Sequence, residues 1–183
     1  MKNKTRELVL AAILTALAIL ITYSPVKLNL PFFTLTLGAH VPTILAMFVS
    51  PWVAIMSVIG SCIGFFMAIP APNNMLVMIR AALHILFVLA GMKMLDKKMN
   101  VFLVIILTSF IHALAEGIAV YALTPVIIPN SETTQLWAGW IAAAGTFVHH
   151  YIDCAIAAPI LFALARAKMV SKPYFMTNTK ASV

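Results

Sequence analysis

Charge is scarce in this sequence. Acidic side chains number five in 183 residues, and all charged residues together make up 9% of the chain. Cysteine is scarcer still, with two residues, Cys62 and Cys154, both inside apolar runs. That excludes a disulfide framework and a cysteine-rich zinc site, and both read as small core side chains. No Walker-type phosphate loop occurs, so the chain does not itself use ATP. The H-E-x-x-H and G-x-S-x-G signatures of metalloproteases and serine hydrolases are missing as well. So is an inverted repeat of broken helices, and there is no linker or low-complexity tract.

What fills the sequence instead is hydrocarbon. Hydrophobic residues make up 63% and the mean hydropathy is +1.04. A soluble domain of this length has too much surface for its volume to hide that much apolar area. The composition therefore predicts an all-α integral membrane protein of one domain, with room for about five to seven spans of roughly 20 residues. The net charge is +7, and its placement decides its meaning. Ten of the twelve Lys and Arg fall in three clusters: Lys2, Lys4 and Arg6; Lys93, Lys97 and Lys98; Arg166, Lys168, Lys172 and Lys180. An even number of crossings leaves those segments on one side, as the positive-inside rule requires. The basic charge sets orientation and grips anionic lipid; it lacks the aromatic interleave of a nucleic-acid surface.

Six spans are expected, near residues 7–23, 39–49, 52–69, 75–95, 101–123 and 136–167, with both termini cytoplasmic. The N-terminal run has the look of a signal peptide but lacks a convincing cleavage site, and it is kept as the first span. Residues 25–38 alternate side chains and hold two prolines; they read as an outer loop partly folded over the membrane. The second span is short for a crossing, about 18 Å at 1.5 Å per residue. Ser50-Pro51 suits the start of the third helix. An outer loop at 125–135 carries only Glu132 as charge, and the sixth span is long enough to project above the lipid.

The ionisable groups are unevenly distributed. Spans 1 to 3 have almost none apart from their ends and His40, whereas spans 4, 5 and 6 each carry a pair one turn apart: Arg80/His84, His112/Glu116 and His149/Asp153. Such spacing puts both members on one helix face. Isolated ions in lipid cost several kcal/mol, so the three faces should meet around a polar interior. Counting from the span ends, Arg80 and Glu116 lie near one level in the outer half, with His84 and His112 about a turn deeper. On span 6 that level falls around residues 140–144, which leaves His149 and Asp153 nearer the middle. The arrangement predicts an outward-facing pocket with a polar floor.

Each of these groups has a structural reading beside the functional one. Arg80 and Glu116 also fit an internal ion pair, and Asp153 an anchor for His149. His150 points about 100° away and reads as structural. His40 is placed for helix-start packing or for pocket lining. Trp137 and Trp140 fit interfacial anchoring, and Trp140 is also placed to stack on a flat ligand. Small residues recur at Ala12-x3-Ala16, Ser57-x3-Ser61 and Gly60-x3-Gly64, spacing that serves close helix packing within the chain or docking to another subunit. An intramembrane enzyme or metalloprotein would have to draw on His112, Glu116, His149 and Asp153. No cofactor and no resident metal are expected.

Several stretches carry a resemblance. The opening KTRELVLAAILTALAIL is similar to the first helix of the substrate-binding (S) components of energy-coupling factor vitamin transporters, as is the plan of six helices with a polar back half. TLGAHVPTILAMFVSPWVAI, IRAALHILF, FIHALAE and GTFVHHYIDCAIA resemble the niacin type most. The resemblance implies a membrane subunit of a bacterial ABC-type importer, not an enzyme, that captures a vitamin between helices 4 to 6 under the 25–38 loop. It implies docking through Ala12 and Ala16, with Gly60 and Gly64 on the same helix 1 to 3 surface, onto the transmembrane coupling protein EcfT, itself carried by two ATPase subunits. Delivery is then by toppling in the membrane. For nicotinate, the resemblance places binding at Arg80, His84, His112 and Glu116. Chemistry agrees: Arg80 suits the carboxylate, a histidine the ring nitrogen, and Trp140 with Phe33 a ring sandwich. His40 and His149 complete the expected lining. Nicotinamide and pantothenate remain compatible cargoes on these residues alone.

Overall fold

A backbone surrounded by hydrocarbon must satisfy its own polar groups, and a helix does so within one segment. The computed structural model describes residues 4–29, 33–129 and 133–170; Lys2, Glu132, Lys172 and Lys180 lie outside the described residues. In chain order the elements are α1 (Lys4–Ile21), β1 (Lys27–Asn29), β2 (Thr34–Thr36), α2 (Val41–Ala46), α3 (Pro51–Ala68), α4 (Asn73–Ala82), α5 (His84–Asp96), α6 (Val101–Ile127) and α7 (Gln135–Arg166). The starts of three of them are written in the sequence. Ser50 caps α3 by accepting from the Val53 N–H, with Pro51 at the first turn. Asn100 caps α6 and Thr134 caps α7 in the same way.

Among the described residues, four helical stretches are long and apolar enough to cross a membrane: Pro51–Ala68, Asn73–Asp96, Val101–Ile127 and Gln135–Arg166. The described residues are thus all-helical apart from one small hairpin, with four candidate spans by length and composition where six were expected. The other two expected spans differ for physical reasons. α1 opens with Lys4, Arg6 and Glu7, which dilute its apolar run. α2 has only six helical residues before the chain turns at 47–49. The fourth expected span is α4 and α5 in sequence, joined at Leu83.

Part of the 25–38 loop is a hairpin. β1 and β2 pair antiparallel with Lys27 opposite Thr36 and Asn29 opposite Thr34, and the chain leaves it through Gly38 at φ +81°, a conformation that favours glycine.

Two close helix pairs frame the bundle. A Cβ on Gly60 of α3 would stand 2.7 Å from the Thr15 carbonyl of α1, and one on Gly64 would stand 2.8 Å from Thr22. On the other side, a Cβ on Gly117 of α6 would stand 2.8 Å from Ala143 of α7. Where α1 begins, the Arg6 guanidinium donates to the Lys168 carbonyl, and the Ser50 hydroxyl donates to Glu7. The start of α1, the α2–α3 turn and the end of α7 therefore share one end of the bundle. The outside is apolar, with Leu8, Leu20, Phe102, Val126 and Trp137 all exposed, while Arg80, Glu116, Asp153 and the histidines are buried. That inversion suits hydrocarbon as solvent.

Candidate functional site

All five histidines of the chain converge. His40 precedes α2, His84 opens α5, His112 lies on α6, and His149 and His150 lie on α7; each is buried. The His40 ring centroid lies 4.5 Å from that of His84, 4.6 Å from that of His112 and 4.7 Å from that of His149.

Glu116 organises the upper part. Its Oε2 accepts from Arg80 Nε at 3.0 Å, from Arg80 Nη2 at 2.5 Å and from the Thr146 hydroxyl at 2.6 Å. Its Oε1 lies 3.1 Å from His84 Nε2 and 3.2 Å from His112 Nε2. A buried carboxylate that satisfies five groups at once is well compensated for losing water. The guanidinium is not fully used, however: Nη1 is buried and without a hydrogen-bond partner.

Asp153 organises the lower part. It accepts from the backbone N–H of Gly38 at 2.9 Å and of His40 at 2.9 Å, and from His40 Nδ1 at 2.8 Å. His149 Nε2 lies 3.1 Å from both Asp153 Oδ2 and the Thr36 carbonyl. One carboxylate on α7 thus fastens the end of the hairpin to the bundle. Phe33 adds an apolar contact, its ring centroid 5.3 Å from the Arg80 guanidinium carbon and its edge pressed on Gly145.

A cavity lies between these two parts, lined among others by Thr34, Thr36, His40, Arg80, His84 and Glu116. Its volume is about 20 Å³, room for roughly one water molecule. Six buried side-chain nitrogen or oxygen atoms among the described residues have no hydrogen-bond partner. Four of them, Arg80 Nη1, His84 Nδ1 and the hydroxyls of Thr34 and Thr36, belong to residues of this lining. Unpaired buried polar atoms each cost about 1–3 kcal/mol, and four of the six gather around this one void.

The sequence-predicted residues divide cleanly. Arg80, His84, His112, Glu116, His40 and His149 are brought together. Phe33 is near but covers the guanidinium rather than lining the cavity. Trp140 is not there: it is 63% exposed on the outer face of α7, so the expected stacking partner faces hydrocarbon. The level across α7 is also lower than expected, since Glu116 meets Thr146 and not residues 140–144. α6 runs on to Ile127, which puts Glu116 further from its end than a helix stopping at 123 would. His112, Glu116, His149 and Asp153 do not form one set; they belong to two groups that share His40. Gly60 and Gly64 face α1, while Ala12 and Ala16 are exposed. Thr34, Thr36, Thr146 and Phe65 were missed. The alternation in TLTL was the available signal for the two threonines, because period two puts both on one face.

The chain is 34% identical over 175 residues to the curated niacin transporter NiaX of Lactococcus lactis subsp. cremoris (strain MG1363), an alignment covering 91% of this chain and 78% of that protein. The chain belongs to the niacin transporter NiaX family. No family model matches it, and no solved structure matches it. Membership in the NiaX family makes this a membrane protein of transport, in keeping with its apolar helices.

Proposed function

We propose that this chain captures niacin, as nicotinate, from the outer side of the bacterial cell membrane as the S component of an energy-coupling factor importer. One observation carries the reading: a buried guanidinium with a spare edge, two spare hydroxyls and a spare imidazole nitrogen share one cavity. Nicotinate has the matching groups. Its carboxylate suits Arg80 Nη1 and the remaining Nη2 proton as a two-bond pair, with the Thr34 and Thr36 hydroxyls beside it, and its ring nitrogen suits His84 Nδ1. The cavity is water-sized, so the ring enters only when the hairpin lifts. The Asp153 contacts to Gly38 and His40 are the fastening that must open.

The wider reading follows from the same family. The chain makes six crossings, α1 and α2 included, with both termini cytoplasmic, as the shared end of α1 and α7 supports. The exposed Ala12 and Ala16 dock on the transmembrane coupling protein EcfT. ATP hydrolysis falls to two ATPase subunits, and this chain is not an enzyme.

Calorimetric titration of the full chain in detergent with nicotinate tests the reading. Binding is expected, with nicotinamide and pantothenate much weaker because neither offers a ring-borne carboxylate to Arg80. Equal affinity for nicotinamide overturns the Arg80 assignment, and no binding of any of the three overturns the reading.

A further inference from the structure

Four donor atoms, one each from His40, His84, His112 and Glu116, lie within 4.8 Å of one another, all on buried residues. Three of the six separations among them are 3.3 Å for His40 Nε2 to His84 Nε2, 3.1 Å for His84 Nε2 to Glu116 Oε1 and 3.2 Å for His112 Nε2 to Glu116 Oε1. Donors placed about 2.05 Å from a tetrahedral zinc ion stand about 3.3 Å apart. We propose that His40 Nε2, His84 Nε2, His112 Nε2 and Glu116 Oε1 hold a divalent transition metal of the zinc class at the floor of the cavity.

The groups behind these donors support the assignment. A metal-binding histidine normally gives its other nitrogen to a fixed partner, which sets the tautomer and the ring plane. His40 Nδ1 is held by Asp153 at 2.8 Å. His112 Nδ1 lies 3.2 Å from His150 Nδ1, and His150 Nε2 lies 3.1 Å from the Thr108 hydroxyl. Glu116 Oε2 is held by Arg80 and Thr146. This gives His150 and Thr108 positioning roles. Only His84 Nδ1 has no partner, and His84 lines the cavity. With Nε2 on the metal, Nδ1 carries the proton and donates into that cavity. Three nitrogens and one oxygen suit zinc.

Charge points the same way. With neutral imidazoles, Arg80 is outweighed by Glu116 and Asp153, so the buried cluster around the cavity is net negative by one. A divalent ion reverses that to plus one, a surrounding that favours a monoanion. This last argument rests on the nicotinate reading; the donor geometry does not.

The test uses the tag-free full chain in detergent, stripped with chelator, equilibrated with zinc and analysed by elemental mass spectrometry. About one zinc per chain is expected, falling below a tenth of that in His112→Ala and in His84→Ala. X-ray absorption of the wild type needs no variant and is expected to read three nitrogens and one oxygen at about 2.0–2.1 Å. His149→Ala separates the two donor groups, since His149 belongs only to the group with His40 and Asp153. Zinc lost in His149→Ala but kept in His112→Ala overturns the proposal, as does a wild type that retains none. A wild type that retains no zinc but binds nicotinate sinks the metal site alone. Zinc held by a protein that ignores nicotinate sinks the transport reading alone.

Discussion

Arg80 gives both Nε and Nη2 to a single oxygen of Glu116, at 3.0 and 2.5 Å, and leaves Nη1 buried without a partner. A pair meant only to stitch α4 to α6 has no need of that remainder, because a two-oxygen fork would use the guanidinium more fully. The lopsided geometry leaves the arginine anchored and still able to bind. Arg80→Lys is therefore expected to keep the charge and lose the fork, weakening nicotinate by about ten- to a hundredfold with the thermal midpoint nearly unchanged. Arg80→Ala strands Glu116 and is expected to cost about 3–5 kcal/mol of stability. Calorimetry and thermal unfolding on the same samples separate the two effects. Unaltered affinity in the lysine variant would show that the spare edge is not the ligand contact.

Asp153 holds the hairpin end by three hydrogen bonds, two of them from backbone N–H groups. Asp153→Asn keeps the shape but removes the charge that strengthens them, and each such bond is worth about 1.5–3 kcal/mol. Hydrogen exchange across residues 34–40 should rise, and nicotinate should leave faster. Protection equal to wild type would mean that the hairpin is held elsewhere.

Gly145 is the floor on which Phe33 rests. A Cβ there would stand 2.5 Å from the tip of the Phe33 ring, and the ring must swing away from Arg80. Gly145→Ala is expected to weaken nicotinate while costing little stability, since the displaced atoms end a movable side chain. Phe33→Ala should reproduce the affinity loss, and the double variant should add little to either, a coupling that a double-mutant cycle reads directly.

What could be read from the chain and what could not follow from physics. Ionisable pairs at i and i+4 announced three polar faces, and the cost of an unpaired charge in hydrocarbon required them to meet; Arg80, His84, His112 and Glu116 duly do. His40 was visible only as a lone histidine near a loop, because its partners Asp153 and His84 come from distant segments. Thr146 fell outside the reading because the end of α6, on which the level was judged, lies four residues further on than supposed. Trp140 misled for a related reason: sequence gives its height on α7 but not its rotation about the helix axis, which is set by packing of Gly139 against Gly117 and Tyr121. The short α2 and the Leu83 junction were equally hidden, since apolar runs look alike whether a helix continues or pauses.

The two small-residue pairs on α1 and α3 make opposite predictions. Gly60 is filled from within the chain, its missing Cβ 2.7 Å from the Thr15 backbone carbonyl, and backbone cannot step aside as a side chain can. Gly60→Val should lower stability by about 1–3 kcal/mol and reduce nicotinate binding only through loss of folded protein. Ala12 and Ala16 are exposed in the same bundle, and bulk there meets no neighbour within the chain. Ala12→Trp with Ala16→Trp should fold and bind nicotinate as wild type does, yet fail to co-purify with the coupling protein and its ATPases. Thermal unfolding, calorimetry and co-purification on the two variants decide the matter. A tryptophan pair that still assembles would move the docking surface off α1, whereas one that unfolds would mean that α1 packs more tightly than its exposed alanines indicate.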